Sequence, residues 1–120
     1  MTRKEERQLI YNKYNGRCAY CGEKLKKGWH VDHLEPVKRT INGGEKSFRN
    51  PEKDSIENKM PSCASCNINK HSMSIERFRK VIAGYVTSLN EYITQYRMAK
   101  KYGLVKETGE KVKFYFETFK

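Results

Sequence analysis

Two Cys-x-x-Cys pairs constrain the fold of this chain more than any other feature of its sequence. They are Cys18/Cys21 and Cys63/Cys66, and together they hold all 4 cysteines of the 120 residues. Each short loop brings two sulfurs within reach of one tetrahedral ion, and zinc is the natural occupant of such a set. Four thiolates leave no coordination position for water or substrate, so the spacing predicts a structural zinc ion that staples the chain.

Two other uses of the cysteines stay open: a redox Cys-x-x-Cys motif, and disulfides in a secreted protein. Neither explains both pairs in a chain whose first residues, 1–7, are too charged for the apolar part of a signal peptide. No later stretch approaches the length and apolarity of a membrane span. We therefore expect a soluble, intracellular protein of the cytoplasm, where structural disulfides are rare.

The charge balance indicates a polyanionic partner. Lys and Arg number 25 against 14 acidic residues, which gives a formal net charge of +11 and makes nucleic acid the first expectation. A generally basic, well-solvated surface would have the same composition. Only 37% of the residues are hydrophobic, so the core should be modest, and the length fits one domain covering residues 1–120.

The first half of the chain predicts a helix, a strand and a loop. Thr2 and Glu5 have the spacing of a capping box, Leu9 and Ile10 begin an apolar stripe, and Gly16 offers a stop. Alternation over residues 29–34 predicts a strand that ends by Pro36. Residues 37–54 are basic, polar and rich in turn signals, and they predict an exposed loop able to touch a substrate.

The second half predicts a long helix and then a hairpin. Beyond Ser74, apolar residues recur every three or four positions, as in a helix that buries one face, and Gly84 does not divide the pattern. These apolar positions are Ile75, Phe78, Ile82, Val86, Leu89, Ile93 and Tyr96. Alternation over residues 104–116, with a turn near Gly109, predicts a β-hairpin.

Chemistry-bearing residues are concentrated in and beside the segment that separates the two cysteine pairs. It contains Asp32-His33-Leu34-Glu35-Pro36, then Asn58, and the second pair is followed by Asn67 and His71. Each residue alone has an ordinary explanation, such as a salt bridge for Asp32 or a turn cap for Asn58. Their combination between two zinc knuckles favours an active site.

The order Cys-x-x-Cys, Asp-His-x-x-Pro, Asn, Cys-x-x-Cys-Asn-x-x-Lys resembles the HNH endonuclease family, in its small, phage-like form with a four-cysteine zinc site. The resemblance covers residues 18–71, a little under half of the chain. It implies an α+β fold in which a zinc-stapled ββα-metal (HNH) core carries an N-terminal helix, a long C-terminal helix and a C-terminal β-hairpin. The core motif would occupy residues 18–71 and the helical and hairpin extension residues 74–120.

The resemblance also implies roles. His33 would be the general base that activates water, and Asp32 and Asn67 would hold one catalytic divalent cation, Mg²⁺ or Mn²⁺, in addition to the structural Zn²⁺. His71, four residues beyond Asn67 on one helical face, is a weaker candidate ligand. Asn58 would brace the loop and orient the base. In a regular strand Asp32 and His33 face opposite sides, so the strand must bend or end there for both to reach one phosphate.

The expected reaction is hydrolysis of DNA, most simply double-stranded, with 5′-phosphate and 3′-hydroxyl products by resemblance. Candidate phosphate contacts, which would make binding salt-dependent, are Lys38, Arg39, Lys46, Arg49, Lys53, Lys70, Arg77 and Lys80. A weak sequence preference is expected, because nothing besides the long helix looks suited to reading bases. The expectation that a phage encodes this protein, and that it acts in a bacterial host, rests only on analogy at the level of the fold.

Two rival functions remain at the level of sequence. A non-catalytic zinc-stabilised nucleic-acid-binding module explains the charge and the cysteines, but it leaves the Asp, His and Asn residues as coincidence. A homing or restriction nuclease with real site specificity would need the long helix or the hairpin to read bases.

Overall fold

A computed structural model describes residues 1–37, 39–42, 45–48 and 51–120, with only the backbone described for 39–42, 45–48 and 51. The chain divides into two units. Unit 1 comprises Met1–Ile75 and Lys113–Lys120, and unit 2 comprises Glu76–Val112. All of the motif residues lie in unit 1.

Unit 1 opens with helix α1, Arg3–Asn12. The predicted cap is confirmed at Thr2, whose hydroxyl oxygen accepts a hydrogen bond from the Glu5 amide at 3.1 Å. Ile10, on the inner face, is buried. Turns follow the helix as far as Gly16, which adopts φ +77° and leaves only 2.7 Å between an added Cβ and the Tyr11 hydroxyl. Glycine is therefore required where the chain turns towards the first knuckle.

A two-stranded antiparallel sheet carries the centre of unit 1. Strand β1, His30–His33, lies within the predicted strand and pairs with a later strand, Lys59–Ser62, such that His30 faces Ser62 and His33 faces Lys59. Helix α2, Ala64–Lys70, follows the second of these strands directly and contacts β1. The sheet and α2 together position the second knuckle and the motif residues.

The segment between these strands was predicted to be a loop, which is wrong for part of it. Strands β2, Arg39–Asn42, and β3, Glu45–Phe48, form a second antiparallel pair, so Lys59–Ser62 is β4. Short 3₁₀ turns at Pro51–Lys53 and Ile56–Asn58 then lead into β4. Turn residues signalled the reversal of direction, but the charged residues around them concealed the strand pairing.

The predicted C-terminal hairpin is wrong. Residues 105–114 contain no strand, and a short helix, Tyr115–Thr118, follows them. The alternating aromatic residues pack instead on the first knuckle: the ring centroids of Phe114 and Phe116 lie 5.9 and 6.4 Å from that of Tyr20. The amides of Tyr115 and Phe116 donate to the carbonyls of Tyr20 and Ala19. Aromatic packing and these bonds take the place of a partner strand.

Unit 2 is helical. Helix α3, Ile75–Tyr92, is followed by α4, Thr94–Lys101, so the single helix predicted through Tyr96 is interrupted, and the short helix at 115–118 is α5. The interruption falls at Ile93, which has an extended backbone, and not at Gly84. Bonds from Asn90, then Lys100 and Tyr96, converge on the Glu107 carboxylate and lower its pKa to about 2. Among the described residues, no helix has the length and apolarity needed to cross a membrane.

Candidate active site and metal centre

The four cysteine sulfurs form one cluster, as predicted. They all lie within 4.8 Å of one another, and the Sγ atoms of Cys21 and Cys63 are 3.8 Å apart. Zinc–sulfur bonds of about 2.3 Å in a tetrahedron place the sulfurs about 3.8 Å apart, so the cluster fits a zinc ion. The same separation far exceeds the roughly 2.05 Å of a disulfide, and all four thiols are free.

Local backbone geometry prepares the sulfurs to carry negative charge. Cys63 is the N-cap of α2, and its Sγ accepts from the Cys66 amide at 3.4 Å, as Cys18 Sγ does from the Tyr20 amide. A hydrogen bond with Cys66 is the main cause that lowers the pKa of Cys18 to about 4, and it raises the pKa of Cys66. Burial raises the pKa of Cys21 to about 11. Four sulfurs this close cannot all carry negative charge unless a cation lies between them, and a bound metal ion would supply that charge.

Asp32 is a buried carboxylate held from two sides. The Tyr20 hydroxyl donates to its Oδ2 at 2.6 Å, and the Lys70 ammonium lies 3.0 Å from the same oxygen. Burial, and then the Asp32 charge, raise the pKa of Tyr20, so the phenol keeps its proton and acts as the donor. Both of these contacts use Oδ2, and they fix the direction in which Oδ1 points.

The predicted phosphate contact at Lys70 is wrong, because its side chain is fully buried. Besides pairing with Asp32, its ammonium donates to the His33 carbonyl at 2.8 Å. Lys70 therefore links α2 to the end of β1. Lys70 lies four residues after Cys66 and therefore on the same face of α2 as this cysteine. That spacing was the sequence signal that the Lys70 side chain points inward.

His33 pairs with a residue that sequence analysis missed. Its Nε2 lies 2.8 Å from Oδ1 of Asp54, which is half-exposed. The bond with His33, followed by the charge of Lys59, lowers the pKa of Asp54. Lys59 in turn bonds the Glu6 carboxylate, which raises the pKa of Lys59. No motif spacing marks Asp54, since it lies in the bend between the two 3₁₀ turns and approaches His33 only in the folded chain.

Asp32 and His33 lie on opposite faces of β1, as strand geometry requires. Asp32 contacts Tyr20 and Lys70, whereas His33 contacts Asp54. The strand ends at His33, and the next amide, that of Leu34, bonds the Asn58 carbonyl at 2.8 Å. The residues after β1 are thus tied to the 3₁₀ turn that contains Asn58.

Asn58 closes the segment that follows β1. Its Oδ1 accepts from the Glu35 amide at 2.9 Å, and its Nδ2 donates to the carbonyls of Glu35 at 2.8 Å and Lys53 at 2.7 Å. Three hydrogen bonds from the Asn58 side chain thus tie the residues after β1 to those that precede β4.

The remaining candidate ligands sit at the second knuckle. Asn67 is half-buried on α2, while His71 follows the helix as its C-cap with φ 52°, which corrects the expectation that both share one helical face. His71 Nδ1 lies 2.9 Å from the Ser72 hydroxyl. Within the described residues, the four cysteines are the cluster of three or more His, Cys, Asp or Glu that has metal-ligand spacing.

The structure describes only part of the predicted nucleic-acid surface. Lys38 and Arg49 lie outside the described residues, and Arg39 and Lys46 are described only as backbone in β2 and β3. Arg77 and Lys80 are exposed on α3, in unit 2. Lys53 is half-buried in a 3₁₀ turn.

Comparison with known proteins agrees with the geometry. Residues 18–73 match the model of the HNH endonuclease family, and this segment contains both knuckles, β1, β4 and α2. Neither the curated proteins nor the solved structures that were searched gave a significant match. Proteins with such domains act on nucleic acids, which accords with the net charge of +11. Residues 18–73 therefore match an HNH endonuclease domain with four cysteines positioned to hold a metal ion, and this domain suggests a function of the nuclease type.

Proposed function

We propose that this protein is a metal-dependent endonuclease that hydrolyses DNA phosphodiester bonds, with His33 as the general base. The observation that carries the proposal is the pairing of His33 with Asp54 at the end of β1, beside a surface cleft. A base, an anion that orients it and room for a substrate are the features that phosphodiester hydrolysis requires.

The carboxylate of Asp54 orients the ring of His33. With the proton on Nε2 directed at Asp54 Oδ1, the lone pair of Nδ1 is left to accept a proton from water. The lowered pKa of Asp54 keeps it ionised at neutral pH, so it stabilises the imidazolium formed when that proton arrives. The Lys59 ammonium lies 3.7 Å from the same oxygen, Asp54 Oδ1.

Asp32 and Asn67 are the residues we propose to hold a divalent cation, Mg²⁺ or Mn²⁺. The described contacts of Asp32 both fall on Oδ2, which leaves Oδ1 for a ligand. The Asn67 amide offers a second hard oxygen on α2, the helix that contacts β1. When bound, such an ion neutralises charge on the phosphate and on the departing 3′ oxygen. His71 is kept as a third, weaker candidate through Nε2.

We further propose that β1, β4 and α2, stapled by zinc, constitute the ββα-metal core of the family. Asn58 supports the base through its bonds to the segment after β1. Double-stranded DNA is the proposed substrate, and cleavage with little sequence preference is expected, since direct base readout needs an element that fits a groove.

The test is nicking of supercoiled plasmid by zinc-loaded protein with added magnesium, with added manganese, or with neither. Three proteins are compared: wild type, His33→Ala and Lys113→Ala. Lys113 is an exposed residue of unit 1 that does not line the cleft, and it serves as the control. We expect wild type and Lys113→Ala to nick only with an added cation, and His33→Ala to lose activity by about 100-fold or more.

Each other outcome has a defined meaning. Equal nicking by His33→Ala and wild type would remove His33 as the base. Binding of plasmid without cleavage in every cation condition would replace this proposal with a non-catalytic nucleic-acid-binding module.

A further inference from the structure

A cleft of about 340 Å³ lies in unit 1 beside the His33–Asp54 pair. Its walls come from α1, through Arg3 and Arg7, and from the start of β1, with Trp29 between them. None of these three residues belongs to the surface that the sequence marked for nucleic acid. The cleft therefore adds a route by which a ligand can approach His33.

The charges in this cleft leave a positive surplus on α1. The acidic residues that line the cleft are Glu6 and Asp54. Both contact the ammonium of Lys59, and Asp54 also contacts His33. Within the described part of the chain, neither Arg3 nor Arg7 forms an ion pair with a carboxylate. The surplus is therefore carried by two guanidinium groups one helical turn apart, on one face of α1.

Arg7 is held in position before any ligand arrives. Its Nη2 donates to the Trp29 carbonyl at 2.7 Å, and its guanidinium carbon lies 3.8 Å from the centre of the Trp29 ring. Tyr11 packs on the same indole, with ring centroids 5.6 Å apart. A guanidinium carries five N–H donors in a planar fork that matches phosphate, and an ordered one loses little side-chain entropy on binding.

A second cleft continues the surface on α1. It measures about 250 Å³ and shares Arg7 and Trp29 with the first, while Lys4, Gln8 and Tyr11 complete its walls. The two clefts thus meet at the Arg7–Trp29 stack, one of them reaching His33 and the other leading away from it. Cations interleaved with aromatic rings are typical of surfaces that bind nucleic-acid strands.

We propose that these joined clefts bind the strand being cut, with Arg3 and Arg7 on phosphates next to the scissile one and Trp29 against a sugar or base. This inference rests on the proposed function, because it uses His33 as the reacting end of the path. It assigns α1, which lies outside the matched family segment, to substrate binding. The surface would then order the strand for attack and not merely attract DNA through net charge.

The test compares Arg3→Gln/Arg7→Gln with Lys113→Gln/Lys120→Gln. The second pair removes the same charge from exposed residues of unit 1 that line neither cleft. Binding of a short fluorescein-labelled DNA duplex to each zinc-loaded full chain is followed by anisotropy, without added magnesium or manganese, over a range of salt concentrations. We expect the arginine pair to weaken binding by about 10-fold or more and to reduce the salt slope by about 2. The lysine pair should weaken it by less than about 2-fold.

The fluorescence of Trp29 supplies an independent readout of DNA binding, because Trp29 is the only tryptophan in the sequence. Unlabelled duplex should change Trp29 fluorescence in wild type and in the lysine pair, with the same Kd as by anisotropy. Arg3→Gln alone guards against misfolding, since no described hydrogen bond uses the Arg3 side chain, and it should show part of the loss.

Two results would overturn the inference. The first is that both double variants bind DNA equally well and that Trp29 fluorescence does not change, although wild type binds and cleaves DNA. The clefts are then not the docking site, and the nuclease proposal stands. If wild type neither binds nor cleaves DNA, both proposals fail together.

Discussion

The ammonium of Lys70 lies 3.0 Å from Oδ2 of Asp32, and only 1% of the Lys70 side chain is exposed. Removing a charge from water is costly unless a partner compensates it, so each member of this pair depends on the other. Lys70 ends α2, which contains Cys66 and is capped by Cys63, and Asp32 belongs to the strand that ends at His33. The pair therefore couples the stability of the zinc site to the geometry of the candidate active site.

Lys70→Met is expected to destabilise the zinc-loaded protein by about 3–5 kcal/mol, because it leaves the Asp32 carboxylate buried with only Tyr20 to compensate it. Adding Asp32→Asn should recover part of that loss. Urea unfolding of the two single variants and the double variant measures the coupling. Lys113→Met, at an exposed position of the same unit, should stay within about 0.5 kcal/mol of wild type. A Lys70→Met protein as stable as this control would show that the pair contributes nothing.

Removal of zinc is expected to unfold unit 1. Structural zinc in small domains contributes apparent binding free energies of about 10–16 kcal/mol, and unit 1 has few buried apolar residues that could replace it. One zinc per chain should be released by a thiol-reactive mercurial, with loss of near-ultraviolet circular dichroism. Cys66→Ser should bind zinc more weakly than Ser65→Ala, a neighbouring change that leaves every sulfur in place. Retention of the native spectrum after complete zinc release would contradict the structural role.

Asp54→Asn should change the pH dependence of stability. The Asp54 pKa is lowered in the folded state, so the stability that this carboxylate contributes is present above its unfolded pKa of about 3.9 and is lost as pH falls through the lower, folded value. The measurement is the difference in unfolding free energy between wild type and Asp54→Asn from neutral pH downwards. Loss of zinc in acid affects both proteins and cancels in this difference. A difference that stays constant across the acid range would refute the assigned pairing.

The same variant also tests the role of Asp54 in activity. An asparagine oxygen still accepts the His33 Nε2–H bond, but it carries no charge to stabilise an imidazolium. Activity with saturating DNA should therefore fall about 10- to 100-fold while Kd for DNA changes little. A loss confined to Kd would make Asp54 a structural residue of the cleft.

Asn58→Ala should destabilise unit 1 by about 2–4 kcal/mol, since it removes three hydrogen bonds and leaves half-buried backbone groups unpaired. Activity should fall further than stability alone explains, because the segment after β1 loses its brace. Asn69→Ala is the matched control, as its amide bonds only the Ser65 carbonyl at an exposed site. Equal stability of the two variants would argue against the bracing role.

Spacing along the chain predicted those features that depend on neighbours in sequence. The meeting of the four sulfurs, the capped start of α1 and the strand carrying Asp32 all follow from local patterns. Asp54 was missed because only its contact with His33 marks it as a site residue. That contact joins residues far apart in the sequence, and no local pattern predicts it. Lys70 was misassigned because a lysine is nearly always exposed, and only a buried carboxylate makes its burial tolerable.

The C-terminal residues show another limit of periodicity. Alternation of Phe114 and Phe116 is typical of a strand, but it reports only that side chains on one side of an extended chain are buried. Here Phe114 packs against the ring of Tyr20 and its N–H donates to the Glu117 carboxylate, while Phe116 belongs to the short helix α5. What covers an apolar face is decided by tertiary packing, which alternation alone does not specify.

The cover of the first knuckle also has a consequence for how the protein is made. The ribosome synthesises Cys18–Tyr20 early, whereas the residues that pack over them, Phe114–Phe116, follow the whole of unit 2. Contacts between such distant parts of a chain form slowly and late. A nascent chain thus has both zinc knuckles outside the tunnel well before Tyr20 receives its aromatic partners. During that interval a metal ion held by the four cysteines, and not the aromatic core, would be what holds residues 18–73 together.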